Sequence, residues 1–114
     1  MTFPTRAYKV LTGPQLSELL ARGSFAGAPI DLLDGYIHLS TEQQLAETLL
    51  KHFTGQSDLW IATIDLVTLQ EDLRWEPSRG DQLFPHVYAD LPLRAVIAHG
   101  PVEWLQGGAL RLPG

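Results

Sequence analysis

The sequence predicts an α+β fold with a largely antiparallel or mixed sheet, two helices in its N-terminal half and a strand-rich C-terminal half. Three observations carry this expectation. Two short strand-like runs near the start, AYKVLT and GYIHLS, each pass directly into a helical pattern. The run LWIATIDL, Leu59 to Leu66, is apolar on both alternating faces and reads as a central strand covered on both sides. Beyond it the chain proceeds in short strand-like runs, without the regular strand–helix repeat of a doubly wound fold.

The elements follow in order. Ala7 to Thr12 forms the first strand, and Thr12 or Gly13 caps a helix that carries Pro14 in its first turn and Leu16, Leu19 and Leu20 on one stripe. Gly23 stops it. Ser24 to Asp34, with Gly27, Pro29 and no clean periodicity, reads as a loop. The strand Gly35 to Ser40 comes next. Two overlapping capping boxes, Ser40-x-x-Gln43 and Thr41-x-x-Gln44, then open a second helix bearing Leu45, Leu49 and Phe53, closed by Gly55.

After the central strand, Val67 to Asp72 reads as a turn or short helical segment, and Leu73 to Glu76 as a strand with Leu73 and Trp75 on one face and Arg74 and Glu76 on the other. Pro77 to Gln82 is a loop by composition. Phe84 to Tyr88 alternates again, and Pro85 argues for an edge strand or a bulge. Following a turn at Asp90 to Pro92, Arg94 to His99 and Val102 to Trp104 are expected as late strands. With 114 residues and no linker or repeat, the chain is expected to be a single domain, 1–114, with its core over about residues 7–104.

Composition narrows the functions. There is no cysteine, which removes disulfides, thiol nucleophiles and cysteine-ligated zinc. The formal net charge is −5 from 8 basic and 13 acidic residues, with the basic ones scattered singly, so a long nucleic-acid backbone is not an expected partner. The N-terminus lacks the apolar core of a signal peptide, and no stretch reaches the roughly 18 apolar residues of a membrane span, so a cytoplasmic protein without membrane attachment is expected. No dinucleotide-binding glycine motif, phosphate loop or serine nucleophile elbow is present.

The candidate site residues come in clusters. On the GYIHLS strand, Tyr36, His38 and Ser40 point to one side while Ile37 and Leu39 point to the other, and a helix N-terminus follows. The plain alternative is that Ser40 caps the helix and His38 bonds a neighbouring carbonyl. In FPHVY, Phe84, His86 and Tyr88 share a face, for which a hydrophobic edge is the structural alternative. Arg74 and Glu76 form a third pair, read either as a solvated ion pair or, if their strand neighbours GYIHLS, as groups that orient a ligand hydroxyl or tune His38. Lys9 is a candidate for anion contact, with an exposed lysine as its alternative. The four histidines show no metal-site spacing, and a metal held by His38, His86 and a carboxylate ranks low.

The segments YKVLT, GYIHLSTEQQL and RWEPSRGDQLFPHVYADLPLRAV resemble the domain of unknown function 952, a family of small bacterial and plant proteins, over Tyr8 to about Trp104. That resemblance implies a divergent ADP-ribosyltransferase-like fold, an α+β class with a split, mostly antiparallel sheet and NAD in the cleft between its halves. GYIHLSTEQQLAETLL is similar to a strand–helix unit of that class, with His38 and Ser40 matching a histidine-leucine-serine version of it. Where transferases of the class carry an arginine or histidine on the first strand and often a late glutamate, this chain offers Lys9 and either Glu76 or Glu103.

The resulting expectation is a small-molecule-binding protein with NAD or ADP-ribose as candidate ligand. His38 and Glu76 would be catalytic if ADP-ribosyl or related nucleotide-group transfer occurs. Lys9, Tyr36, Ser40, Arg74, His86 and Tyr88 would bind the ligand. A non-catalytic binding module on the same fold is the alternative, with the Phe84 to Tyr88 edge meeting a protein partner. A third reading makes His38 and His86 an acid/base pair, which requires both rings on one side of the sheet.

Overall fold

The computed structural model describes residues 2–114. Along the chain, β1 (Arg6–Thr12) leads to α1 (Gly13–Arg22), β2 (Ser24–Phe25), α2 (Pro29–Asp34), β3 (Ile37–His38) and α3 (Glu42–His52). Then come β4 (Leu59–Asp65), β5 (Leu73–Pro77), β6 (Leu83–Val87), β7 (Leu91–Pro92) and β8 (Val96–Pro101). The strands form two three-stranded antiparallel sheets, ordered β1-β4-β8 and β3-β6-β5, and a two-stranded one, β2-β7. The expected α+β class with antiparallel pairing is therefore present. Among the described residues no helix is long and apolar enough to cross a membrane.

The alternation of β1 explains how the first sheet is sandwiched. Ala7 and Leu11 join Leu19, Phe25, Ile37, Leu39 and Val87 in one core, between the first sheet, α1 and the second sheet. Tyr8 and Val10 point to the other side and pack with Leu45 and Leu49 of α3. Central β4 divides its residues the same way: Ala62 and Ile64 enter the first core and Ile61 the second. A strand that serves two cores reads as a continuous apolar run, which is why LWIATIDL was legible.

α1 begins as expected, with Thr12 as the cap: Oγ1 accepts the Gln15 N–H at 3.3 Å and Gln15 Oε1 accepts the Thr12 N–H at 2.9 Å. Gly23 ends it in the left-handed region at φ 77°. Gly13 matters through space. A Cβ there would lie 2.1 Å from Asp58 Oδ2, and that carboxylate also receives Trp60 Nε1–H at 3.0 Å. Gly13→Ala is expected to displace Asp58 and cost about 1–3 kcal/mol in urea unfolding, as overpacking usually does; an unchanged midpoint would show that Asp58 yields freely.

Four expectations are corrected. Ser24 to Asp34 is no plain loop: Ser24 and Phe25 pair with Pro92 and Leu91, and Pro29 opens α2. A two-residue strand and a six-residue helix are too short to show a period, so composition alone made the segment look irregular. Gly35 ends α2 at φ 87°, so β3 starts only at Ile37. Of the two overlapping boxes it is Thr41 that caps α3, and the helix ends at His52 with Phe53 as its C-cap, ahead of the expected Gly55. Val102 to Trp104 is not a strand; Trp104 only bridges Leu110, while β8 starts at Val96.

Pro85 lies in β6, the central strand of its sheet, and not at an edge. Its carbonyl accepts the Leu39 N–H at 3.0 Å, but proline has no N–H to return the bond. The β3–β6 ladder therefore stops after His38–His86. Two residues later the chain crosses to the first sheet, where Ser40 exchanges both backbone bonds with Tyr8, at 2.8 and 2.9 Å. Proline is tolerated here because it sits where the ladder must end.

Candidate functional site

The site begins with a residue that the sequence did not single out. Asp31, third in α2, is 2% exposed and reaches back so that Oδ2 accepts the Ala28 N–H at 2.8 Å. This is the carboxylate arm of a capping box, whose signal in sequence is a proline at the first helical position followed two residues on by an acid. The same carboxylate accepts the His38 backbone N–H at 3.1 Å and His38 Nδ1 at 2.7 Å. Lys9 Nζ closes the hub, donating to both Asp31 oxygens at 3.2 and 3.0 Å and to the His38 carbonyl at 3.1 Å.

This arrangement corrects the reading of Lys9. It is 6% exposed, on the Ala7–Leu11 face of β1, and its three hydrogens are all engaged within the protein. Lys9 is the ion partner of Asp31 and not a contact for an external anion. Burial alone would push the Asp31 carboxyl up, but the His38 bond, the Lys9 charge and the Ala28 N–H hold it down, at about 2. Burial pushes the Lys9 ammonium down against the pull of Asp31. The ionised Asp31 in turn fixes His38, because Nδ1 must donate to it.

His38 and His86 are paired in register across β3 and β6, on the same face, with ring centroids 5.4 Å apart. Each imidazole has a carboxylate at Nδ1: Asp31 for His38 and, at 2.7 Å, Glu76 for His86. Tyr36 packs between the two, 4.1 Å from His86 in a stacked arrangement and 4.7 Å from His38. Tyr88 joins at 5.2 Å from Tyr36 and donates its hydroxyl to Glu76 at 2.7 Å. Outermost, His38 Nε2 lies 2.9 Å from Asp34 Oδ2, and the Arg74 guanidinium stands 5.6 Å from the Tyr88 ring centre.

The electrostatics follow from these contacts. The bonds from His86 and Tyr88 hold the Glu76 carboxyl below the usual range, and the same bond, with burial, holds the Tyr88 hydroxyl above it. Burial lowers His86 against the opposing pull of Glu76. Burial and the nearby Asp34 and Glu76 charges raise the Tyr36 hydroxyl. The face thus presents two imidazoles oriented by ionised carboxylates, within one layer of stacked rings.

Tyr36, His38, Arg74, Glu76, His86 and Tyr88 are therefore brought together, whereas Lys9 and Ser40 are not part of the open face. β5 neighbours β6 and not β3, so Glu76 serves His86, and the carboxylates bonded to the His38 ring are Asp31 and Asp34. Ser40 is neither cap nor ligand contact. Thr48 Oγ1 donates to the Gln44 carbonyl at 3.1 Å, so the 2.8 Å bond between the two hydroxyls is donated by Ser40, which tethers this crossing to α3. Thr41 starts the helix, its N–H bonded to Gln44 Oε1 at 3.0 Å.

A cleft of about 230 Å³ adjoins the cluster, lined by Asp31, Tyr36, Ile37, Val87, Tyr88 and Asp90 among others. A larger hollow, about 630 Å³, lies far from it between the end of α3 and β4, with Phe53, Trp60 and Trp104 on its walls. It shares no residue with the histidine cluster, whereas the smaller cleft is walled by Asp31, Tyr36 and Tyr88 of that cluster and is the one that chemistry favours. No group of three or more histidines and carboxylates is placed to hold a metal among the described residues.

Comparison with known proteins agrees with this segment of chain being a family in its own right. The family described as a protein of unknown function, DUF952, matches residues 10–99. The crystal structure of protein CC0527 from Caulobacter crescentus is 38% identical, with 95% of each chain covered and a TM-score of 0.85. The solution NMR structure of CC0527 matches at 38% identity over 92% of this chain and 90% of that one, with a TM-score of 0.78. No curated protein matches.

Proposed function

This chain belongs to the DUF952 family, and from that premise we propose that the His38–His86 face binds a small molecule carrying a planar ring. One observation carries the reading: two histidines on one sheet face, each oriented by its own carboxylate, flank a tyrosine ring stacked 4.1 Å from His86. Structural histidines rarely need such a paired arrangement beside a cleft, whereas ligand sites use it to fix ring orientation. The ligand class is NAD, ADP-ribose or a related nucleotide, and the fold is a divergent ADP-ribosyltransferase-like one, in keeping with the split sheet and the GYIHLS strand–helix unit. If the ligand is turned over, the reaction is ADP-ribosyl or related nucleotide-group transfer, in which Glu76 stabilises developing positive charge on the sugar.

A second reading is favoured by the common side of the two rings: His38 and His86 serve as an acid/base pair on one substrate. The partner-binding alternative loses its proposed edge, because Phe84–Tyr88 runs through the middle of its sheet.

A thermal-shift series with NAD, ADP-ribose, nicotinamide and other nucleotides tests the proposal. A ligand at about 100 times its Kd is expected to add roughly 2.7 kcal/mol, a rise of several degrees in Tm. His38→Ala and Glu76→Gln are each expected to remain folded and to lose most of that rise. No shift with any of these compounds, or undiminished shifts in both variants, would overturn the assignment.

A further inference from the structure

The two imidazoles are not equivalent. His38 has a carboxylate at both ring nitrogens, Asp31 at Nδ1 and Asp34 at Nε2. His86 has one only. Its Nδ1 meets Glu76 Oε1, the same oxygen that receives the Tyr88 hydroxyl, and an oxygen taking two donors makes Nδ1 the protonated nitrogen. Among the described residues no side-chain bond reaches His86 Nε2. Yet His86 is 2% exposed, and among the described residues no fully buried side-chain nitrogen or oxygen lacks a partner. Nε2 therefore keeps a small exposed surface on the face that carries Tyr36, as a lone pair in a neutral ring.

We propose that His86 Nε2 is the hydrogen-bond acceptor of the His38–His86 face and takes an O–H or N–H from an uncharged or cationic part of a ring-bearing ligand. The inference rests on the small-molecule reading above and specifies the group such a ligand must present. Charge decides the class. Asp31, Asp34 and Glu76 are the acids beside the two rings, and Lys9 is spent on Asp31. An anionic oxygen set against Nε2 would face a lone pair and the carboxylate across the same ring, and would carry no proton to give. A hydroxyl or ring N–H meets neither cost, and the proton it shares is supported through the imidazole by Glu76, as in carboxylate–histidine pairs generally. Any phosphate on the ligand belongs outward, towards Arg74 on the rim.

The test uses the full chain with ¹⁵N-labelled histidine, followed by NMR at neutral pH. The free protein is expected to show His86 protonated at Nδ1 and bare at Nε2. Nicotinamide, NAD or ADP-ribose is expected to shift the Nε2 resonance, and inorganic phosphate is expected to leave it in place. His86→Phe is expected to weaken binding of the active probe at least about tenfold, while His86→Gln, which keeps an acceptor near the position of Nε2, retains most of the affinity. An Nε2–H tautomer overturns the inference whatever the ligand does. A probe that raises Tm with Nε2 unmoved overturns it and leaves the pocket assignment standing. If no probe either stabilises the protein or moves Nε2, both fail.

Discussion

Asp31→Ala is expected to lower the unfolding free energy by about 3–5 kcal/mol, the usual penalty for breaking a buried ion pair by removing one partner. The loss is concentrated because one carboxylate serves three elements: it neutralises Lys9 of β1, caps the Ala28 N–H of α2 and holds His38 of β3. In the variant the Lys9 ammonium keeps only the His38 carbonyl among these acceptors. Against a typical stability of about 5–15 kcal/mol, this is a large fraction, and it corresponds to a fall in Tm of roughly 10–20 °C for a chain of this size. Urea titration at pH 7 measures it. Replacing both partners, Lys9→Met with Asp31→Leu, is expected to recover part of the loss, since two apolar side chains leave no unpaired charge. A loss under 1 kcal/mol for Asp31→Ala would mean that water reaches the hub and the pair is not the junction described.

Acid is expected to remove about 2 kcal/mol through the same residue. The Asp31 carboxyl is held at about 2 against an ordinary 3.8, so the unfolded chain binds its proton more readily than the native one. Its contribution is complete above pH 3.8 and disappears as pH falls through about 2. Glu76, also held low, acts in the same direction over the carboxylate range. His86 adds an earlier window: its native pKa is lowered by burial, so stability is full above its ordinary 6.5 and declines as pH falls below that, where the unfolded chain takes up the proton first. Urea unfolding from pH 8 to pH 2 is therefore expected to show a shallow loss beginning below 6.5 and a steeper one below 4. In Asp31→Asn the steeper step should shrink by about 2 kcal/mol, the linkage value of the depressed carboxyl. An unchanged step in that variant would assign acid sensitivity to other carboxylates.

Much of this was legible along the chain because its signal is local. Thr12 and Gln15 bracket a helix start within four residues, Gly23 ends it, and the two-sided burial of LWIATIDL follows from a run with no polar face. Alternation on GYIHLS and FPHVY placed Tyr36, His38, His86 and Tyr88 correctly on faces that proved to be one. The period of a strand tells which side chains share a side, and it does so without knowledge of the neighbour.

Partnership was not legible, because hydrogen bonds across the fold leave no spacing in the sequence. Residues 22 apart put Lys9 on Asp31, and 10 apart put His86 on Glu76. Lys9 looked like a surface cation and Ser40 like a cap, since nothing near either one in the chain marks it as buried. Pro85 looked like an edge residue, and only the crossing of the chain to Tyr8 shows why a proline suits the centre of this sheet.

By itself, then, the sequence determined the α+β class, both ends of α1 and the set of rings that could share a face, all of which depend on short-range sterics and on period. Tertiary structure alone decided strand order, and with it which carboxylate meets which imidazole. That pairing separates a His38 held at both ring nitrogens from a His86 held at one, because it depends on elements brought together only when the two cores form.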